Sequence, residues 1–297
     1  MKVRYRGVRG SIPVPGPATS RYGGNSSCIE VRAEGAPPLV LDGGTGVRSL
    51  GRDLCAEGPQ SVYMLFTHFH MDHLFGFPFF APIYAPGFHV EVGLQAYSDT
   101  DAGNKLAHYL AGVYHPVRLS DLGDKVSFRP VRPGRAFQLG PYRVDPVALN
   151  HPGGATGYRI EADGRSVVYL TDTAPLTKPG EGIVDGKVPN RPERRVLDVL
   201  READLVIMDT MFSFEEYLAH MTWGHAYPEY AVALSEAAGA KRVALFHHAP
   251  DASDDDLDSL ASRWSGHDGG AEVSVAVEGA EVDLGVGRAL GDGPVAE

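Results

Sequence analysis

Short apolar runs closed by glycine and proline dominate the hydrophobic pattern, with longer segments of helical spacing set between them. Runs of about 4–8 residues rich in β-branched and aromatic side chains, bounded by turn residues, are the pattern of strands. Val3 to Arg9, Cys28 to Arg32, Pro38 to Asp42 and Val62 to Thr67 fit it early in the chain. The pattern returns at Lys125 to Val131, Tyr142 to Leu149, Tyr158 to Glu161, Ser166 to Thr171, Leu205 to Asp209, Arg242 to His247 and Glu272 to Val277. Apolar positions three and four apart predict helices over Val47 to Glu57, Asp101 to Ala111, Arg194 to Ala203, Ala226 to Gly239 and Asp255 to Trp264. Strands precede helices in both halves instead of alternating strictly with them, which predicts an α/β fold of two sheet layers with helices outside.

Composition refines this picture. The 297 residues are 43% hydrophobic and 22% charged, as in ordinary globular proteins, which excludes a wholly disordered, collagenous or coiled-coil chain. One domain over residues 1–297 is expected, with an insertion at 74–124, a Pro- and Gly-rich lid at 174–195 and a loose tail after 288. The formal charge of −11 argues against wrapping long nucleic acid, whose phosphates are held by Lys and Arg, and favours a small substrate. The two cysteines, Cys28 and Cys55, make neither a disulfide framework nor a Cys-type metal pair. The charged start of the chain is not followed by a long apolar run, and no segment approaches about 18 uninterrupted apolar residues. A cytoplasmic protein with no membrane partner is the expectation.

The most informative residues are His68-Phe69-His70-Met71-Asp72-His73, directly after the strand Val62 to Thr67. Four of these six side chains are potential metal ligands, in a chain with only 12 histidines. An extended H-x-H sends two imidazoles to one side, and a turn after it can aim Asp72 and His73 at a second ion. Imidazole and carboxylate without thiolate suit catalytic Zn²⁺, Mn²⁺ or Fe²⁺. This loop resembles the signature of the metallo-β-lactamase superfamily. The resemblance implies an αββα sandwich of two mixed sheets with helices on the outside. Leu39 to Gly46, a strand ending in Asp42 before a glycine turn, looks like the superfamily's first motif and gives Asp42 a structural role.

Three further candidates stand at strand ends in the order the resemblance implies: His151, Asp172 and His247. By resemblance, His68, His70 and His151 would hold one ion, Asp72, His73 and His247 the second, and Asp172 would bridge them. Zinc is the expected metal, with manganese or iron as alternatives. His248 competes with His247, but neighbours on a strand face opposite ways, so one of the two is expected to ligate, and His247 is preferred. Asp209 is read either as an acceptor that orients a histidine or as a turn cap.

Two ions that share a water and lower its pKa toward about 7 make hydrolysis the expected reaction. The run from Trp223 through Ala249 resembles the ribonuclease Z and phosphodiesterase branch, as do Gly10 to Pro13 and Gly23 to Cys28. There His225, placed before a helix, would assist at a scissile phosphate, so Asp72 and His225 are the expected catalytic residues. Residues 74–124 carry only Lys105 and Arg118 as cations, so the basic arm typical of transfer-RNA processing relatives is absent. The aromatic residues Phe75, Phe77, Phe79, Phe80, Tyr84 and Phe88 form either a wall for a nucleobase or a small apolar core. A small phosphodiester or cyclic nucleotide is the favoured substrate, and a homodimer is implied by resemblance. The alternatives are an acyl hydrolase of the same fold, acting on a lactone, thioester or β-lactam, and a non-catalytic metal- or nucleotide-binding sensor.

Overall fold

The structure is a computed structural model that describes residues 1–110, 112–176 and 191–285. The expected lid at 174–195 lies largely outside the described residues, and so does the tail after 288. The first half builds β1 (Lys2–Gly7), β2 (Cys28–Arg32), β3 (Leu39–Leu41), α1 (Val47–Glu57), β4 (Ser61–Leu65), α2 (Met71–Leu74), β5 (His89–Gln95), α3 (Asp99–Tyr109) and β6 (Val126–Val131). The second builds β7 (Phe137–Leu139), β8 (Tyr142–Leu149), β9 (Ala155–Ala162), β10 (Arg165–Leu170), α4 (Arg191–Leu200), β11 (Leu205–Asp209), α5 (Phe214–Ala219), α6 (Pro228–Ala237), β12 (Arg242–Phe246), α7 (Asp254–Trp264), β13 (Glu272–Val275) and β14 (Glu281–Asp283).

These strands form two seven-stranded sheets, ordered β14-β1-β2-β3-β4-β5-β6 and β13-β12-β11-β10-β9-β8-β7. Both are mixed in the same way. β3 to β6 run parallel, as do β10 to β13, and the remaining neighbours are antiparallel. Alternation along each strand divides its side chains between two layers. In β3, Leu39 and Leu41 enter the core between the sheets while Val40 packs outward with Leu50 and Leu54 of α1. In β11, Leu205 and Ile207 face the inter-sheet core while Val206 and Met208 meet Val199 of α4 and Leu234 of α6. The result is the expected αββα sandwich of two mixed sheets.

Residues 74–124, expected as an insertion, instead supply β5 and α3 of the first sheet's own layer. Phe77, Phe80 and Phe88 are buried in the core beneath them, so for these three aromatics the apolar-core alternative holds, whereas Phe79 and Tyr84 are exposed. β7 and β14, three-residue edge strands, and β5 were not anticipated from the sequence.

Strand direction places the functional rim. β1, β3, β4, β5, β8, β10, β11 and β12 all run the same way along the sandwich, so their C-terminal ends emerge at one edge. That is the edge where α/β sheets present functional side chains.

Candidate metal centre

All seven expected ligands meet at this rim. His68, His70, Asp72 and His73 follow β4, His151 follows β8, Asp172 follows β10 and His247 follows β12. His68, His70, His151 and Asp172 form one cluster in which one donor atom from each lies within 4.8 Å of the others. Asp72, His73, Asp172 and His247 form a second by the same measure. Asp172 belongs to both. Its Oδ2 lies 3.5 Å from His68 Nε2 and 3.5 Å from His151 Nε2, and its Oδ1 lies 3.0 Å from His73 Nε2 and 3.0 Å from His247 Nε2. Asp72 Oδ2 closes the second cluster at 3.1 Å from His73 Nε2 and 3.3 Å from His247 Nε2.

The backbone explains how short strand ends aim so many groups inward. Among the described residues six non-glycine residues have positive φ, and four of them surround this site: Ser11 (62°), Asp42 (61°), Asp172 (57°) and His247 (65°). Each turns the chain sharply as it leaves a strand or enters a loop, a conformation that persists where surrounding structure enforces it and that gathers at functional sites. His247 thereby enters the cluster. His248 points away, donating Nε2–H to the Ala276 carbonyl at 2.8 Å, and burial pushes its pKa down to about 4.

Partners behind the donors fix their orientation. A carboxylate only accepts, so the 2.8 Å contact of His73 Nδ1 with Asp42 Oδ2 puts the proton on Nδ1 and leaves Nε2 to face the cluster. Asp42 also accepts from Thr67 N at 2.8 Å, from Thr67 Oγ1 and from Tyr169 Oη at 3.0 Å. Thr67 Oγ1 in turn lies 3.0 Å from His68 Nδ1, so Asp42 supports one histidine of each cluster. His151 donates Nδ1–H to the Gly224 carbonyl at 3.0 Å, and Ser11 N–H donates to Asp72 Oδ2 at 2.9 Å. Gly10 sits flat on His247, where a Cβ would come within 2.5 Å of the ring. The contributions of Thr67, Ser11 N–H and the Gly224 carbonyl were not legible in sequence.

His225 joins the site from the side. Its Nδ1 lies 2.7 Å from Asp209 Oδ2, and its ring stacks on His247 with centroids 5.1 Å apart. The expectation that it sits at a helix N-terminus is corrected: Tyr227 is extended ahead of Pro228, so α6 begins three residues later and Asp209, not the helix, holds His225. Burial lowers its pKa, but Asp209 outweighs this and lifts it to about 9.

The donor set fits divalent metal. His68 Nε2 and His73 Nε2 are buried without a hydrogen-bond partner, an arrangement costly unless something accepts their lone pairs. Burial drives the His68 pKa well below its usual value and lowers that of His151. Burial would raise the pKa of Asp72 and Asp172, yet the facing histidines hold both below the carboxylate range. His68 and His151 are thus poised as neutral imidazoles beside ionised carboxylates. Burial would lower the His73 pKa as well, but Asp172, Asp72 and Asp42 outweigh it and hold that pKa well above its usual value, so His73 would release a proton on taking up an ion.

Fold and site together define a domain of the β-lactamase type with a candidate metal centre at its rim. Residues 39–248 match the model of the β-lactamase superfamily domain, and the chain belongs to that family. An uncharacterized Mycobacterium leprae protein is 31% identical over 176 residues, a match spanning 58% of this chain and 58% of that one, less than two thirds of either. A ribonuclease Z from Acaryochloris marina is 26% identical, covering 84% of this chain and 86% of its own. Among solved structures, the metallo-β-lactamase fold protein YhfI from Bacillus subtilis superposes with a TM-score of 0.66 at 19% identity, covering 95% of this chain and 99% of that one. Among the described residues no helix is long and apolar enough to cross a membrane.

Proposed function

We propose that the protein is a dinuclear metal-dependent phosphodiesterase acting on a small phosphodiester such as a cyclic nucleotide. His68, His70, His151 and Asp172 would hold one ion, and Asp72, His73, His247 and Asp172 the other, with zinc the preferred metal for this donor set. When bound, the ions would supply Lewis acidity and an activated water. The observation that carries the choice of phosphorus over an acyl carbon is the Asp209–His225 pair. With its Nδ1 proton committed to Asp209, the His225 ring has Nε2 left for a substrate oxygen beside the second cluster. A phosphodiester presents both a non-bridging oxygen to be contacted and a leaving oxygen to be protonated. The similarity to a ribonuclease Z over most of the chain supports this reading. The net charge of −11, and the scarcity of cations over residues 74–124, support a small substrate over long RNA.

The test compares His225→Ala with the wild type on a cyclic nucleotide and on bis(p-nitrophenyl) phosphate, with a lactone and a thioester alongside and Asp72→Ala as the inactive control. General acid–base assistance contributes about 10²–10⁴-fold, so kcat on the cyclic nucleotide should fall by that order with both metal equivalents retained. The loss on the nitrophenyl ester should be smaller, because nitrophenolate leaves without a proton. Turnover of the lactone or thioester with inert phosphodiesters would overturn the proposal.

A further inference from the structure

The rim holds one cavity next to the first cluster that the chemistry above does not use. It measures about 240 Å³ and meets that cluster at His68. Phe69, Leu94, Gln95, Lys105, Gly153 and Gly154 line most of the rest, with Phe66 and Thr67 behind. Pockets that enclose a whole ligand run to about 300–1,000 Å³, so this one takes a single part of a molecule whose remainder lies on the metal seats.

Its lining is specific in character. Leu94 is buried and Phe69 half-buried, the latter set edge-on to Phe66 with centroids 5.8 Å apart, which fixes an aromatic ring at the wall. Gly153 and Gly154 have φ of 81° and 84°, and a Cβ on either would meet nothing within 4 Å, so their part of the lining is open backbone. The polar end consists of donors. Lys105 Nζ reaches the Gln95 carbonyl at 2.7 Å and lies 3.6 Å from Asp101 Oδ2, so one of its three protons is left to give. Gln95 Oε1 accepts from Thr156 Oγ1 at 3.3 Å, which leaves the carboxamide nitrogen without a partner among the described residues. An aromatic ring, open backbone and two donors lining one cavity suit a flat ring that carries hydrogen-bond acceptors.

We propose that this cavity is a nucleobase subsite, so that the substrate is a nucleoside phosphodiester whose phosphate lies on the metal seats and whose base lies against Phe69, with Gln95 and Lys105 donating to its edge. The proposal rests on the phosphodiesterase reading for the position of the phosphate. It names the class of group attached to that phosphate.

Calorimetric titration of the zinc-loaded protein with guanosine 5′-monophosphate, ribose 5-phosphate and phenyl phosphate tests it. The nucleotide should bind at least tenfold more tightly than ribose 5-phosphate, which has the same sugar and anion without the base. In Gln95→Leu and in Lys105→Met, both at exposed positions, that ratio should collapse toward one. Equal affinity for nucleotide and sugar phosphate in the wild type, or a ratio untouched by both variants, overturns the subsite. So does phenyl phosphate binding as tightly as the nucleotide, which would make the cavity a plain aryl pocket. The two readings fail separately: base-dependent binding by a protein that hydrolyses no phosphodiester keeps the subsite and removes the phosphodiesterase, whereas phosphodiester hydrolysis without base-dependent binding does the reverse.

Discussion

Asp42 illustrates how much a residue that touches no substrate can control. Fully buried and held at positive φ, it receives four contacts and passes orientation to His73 directly and to His68 through Thr67. Asparagine tolerates the same backbone conformation, so Asp42→Asn tests the charge and not the turn. Its amide would either present a donor to the His73 Nδ1 proton or lose the Thr67 bonds. Loss of such an outer partner typically costs 10–100-fold in metal affinity, and chelator competition should show that loss at both seats. Unchanged affinity would mean that Asp42 serves the fold alone. His247 and His248 make a matched pair at the next scale of detail. His247→Asn should remove about one of the two metal equivalents found by elemental analysis. His248→Asn should keep both while losing a buried hydrogen bond worth about 1–3 kcal/mol, seen as a lower thermal midpoint. The reverse outcome would exchange the two assignments.

Loops leaving parallel strands do most of the positioning, and they differ in how readable they were. The cluster after β4 was plain because four donors crowd into six residues, and His151, Asp172 and His247 followed because each ends a recognisable strand. The loop from Trp223 to His225 was only half legible: the histidine was visible, but the task of Gly224 was not. Gly224 has φ of 86°, its carbonyl receives the His151 proton, and a Cβ there would fall 2.3 Å from His151 Nδ1. No local pattern announces a carbonyl as a partner, since the peptide group is the same in every residue. Edge strands were missed for a related reason. Phe137–Leu139 and Glu281–Asp283 are three residues long and exist through pairing with β8 and β1, which the local sequence does not record. The dual role of the 223–225 loop predicts that Gly224→Ala pushes His151 away while disturbing His225. A displacement of about 1 Å at a catalytic group can cost on the order of 10²-fold, so kcat/KM should fall by that order with weakened retention of one ion. Full activity with two ions bound would show that the loop has slack the structure does not suggest.

At the scale of the whole molecule the two clusters act across the sandwich. His68, His70, Asp72 and His73 belong to the first sheet's rim, whereas His151, Asp172 and His247 belong to the second's, so each seat draws donors from both sheets. Below them the sheets are joined by the apolar core of Ile29, Leu41, Tyr158, Ile207 and Phe246. The opposite rim is organised differently. There Asp204 accepts from Arg165, Lys241 and the Ser166 N–H, and Arg143 pairs with Glu161, so charge is matched within the chain. The functional rim instead gathers buried imidazoles and carboxylates, with His68 Nε2 and His73 Nε2 lacking a hydrogen-bond partner, an arrangement that would weaken the fold until cations tied the sheets together. Metal binding is then a stability term: an ion at about 1,000 times its dissociation constant adds about 4 kcal/mol. At roughly 2–4 °C per kcal/mol for a chain somewhat shorter than this one, stripping the ions with chelator should lower the thermal midpoint on the order of 10 °C, and zinc should restore it. If elemental analysis confirms that the metal is gone and the midpoint has not moved, the two sheets are held together by their core alone and the seats form without help from the ions.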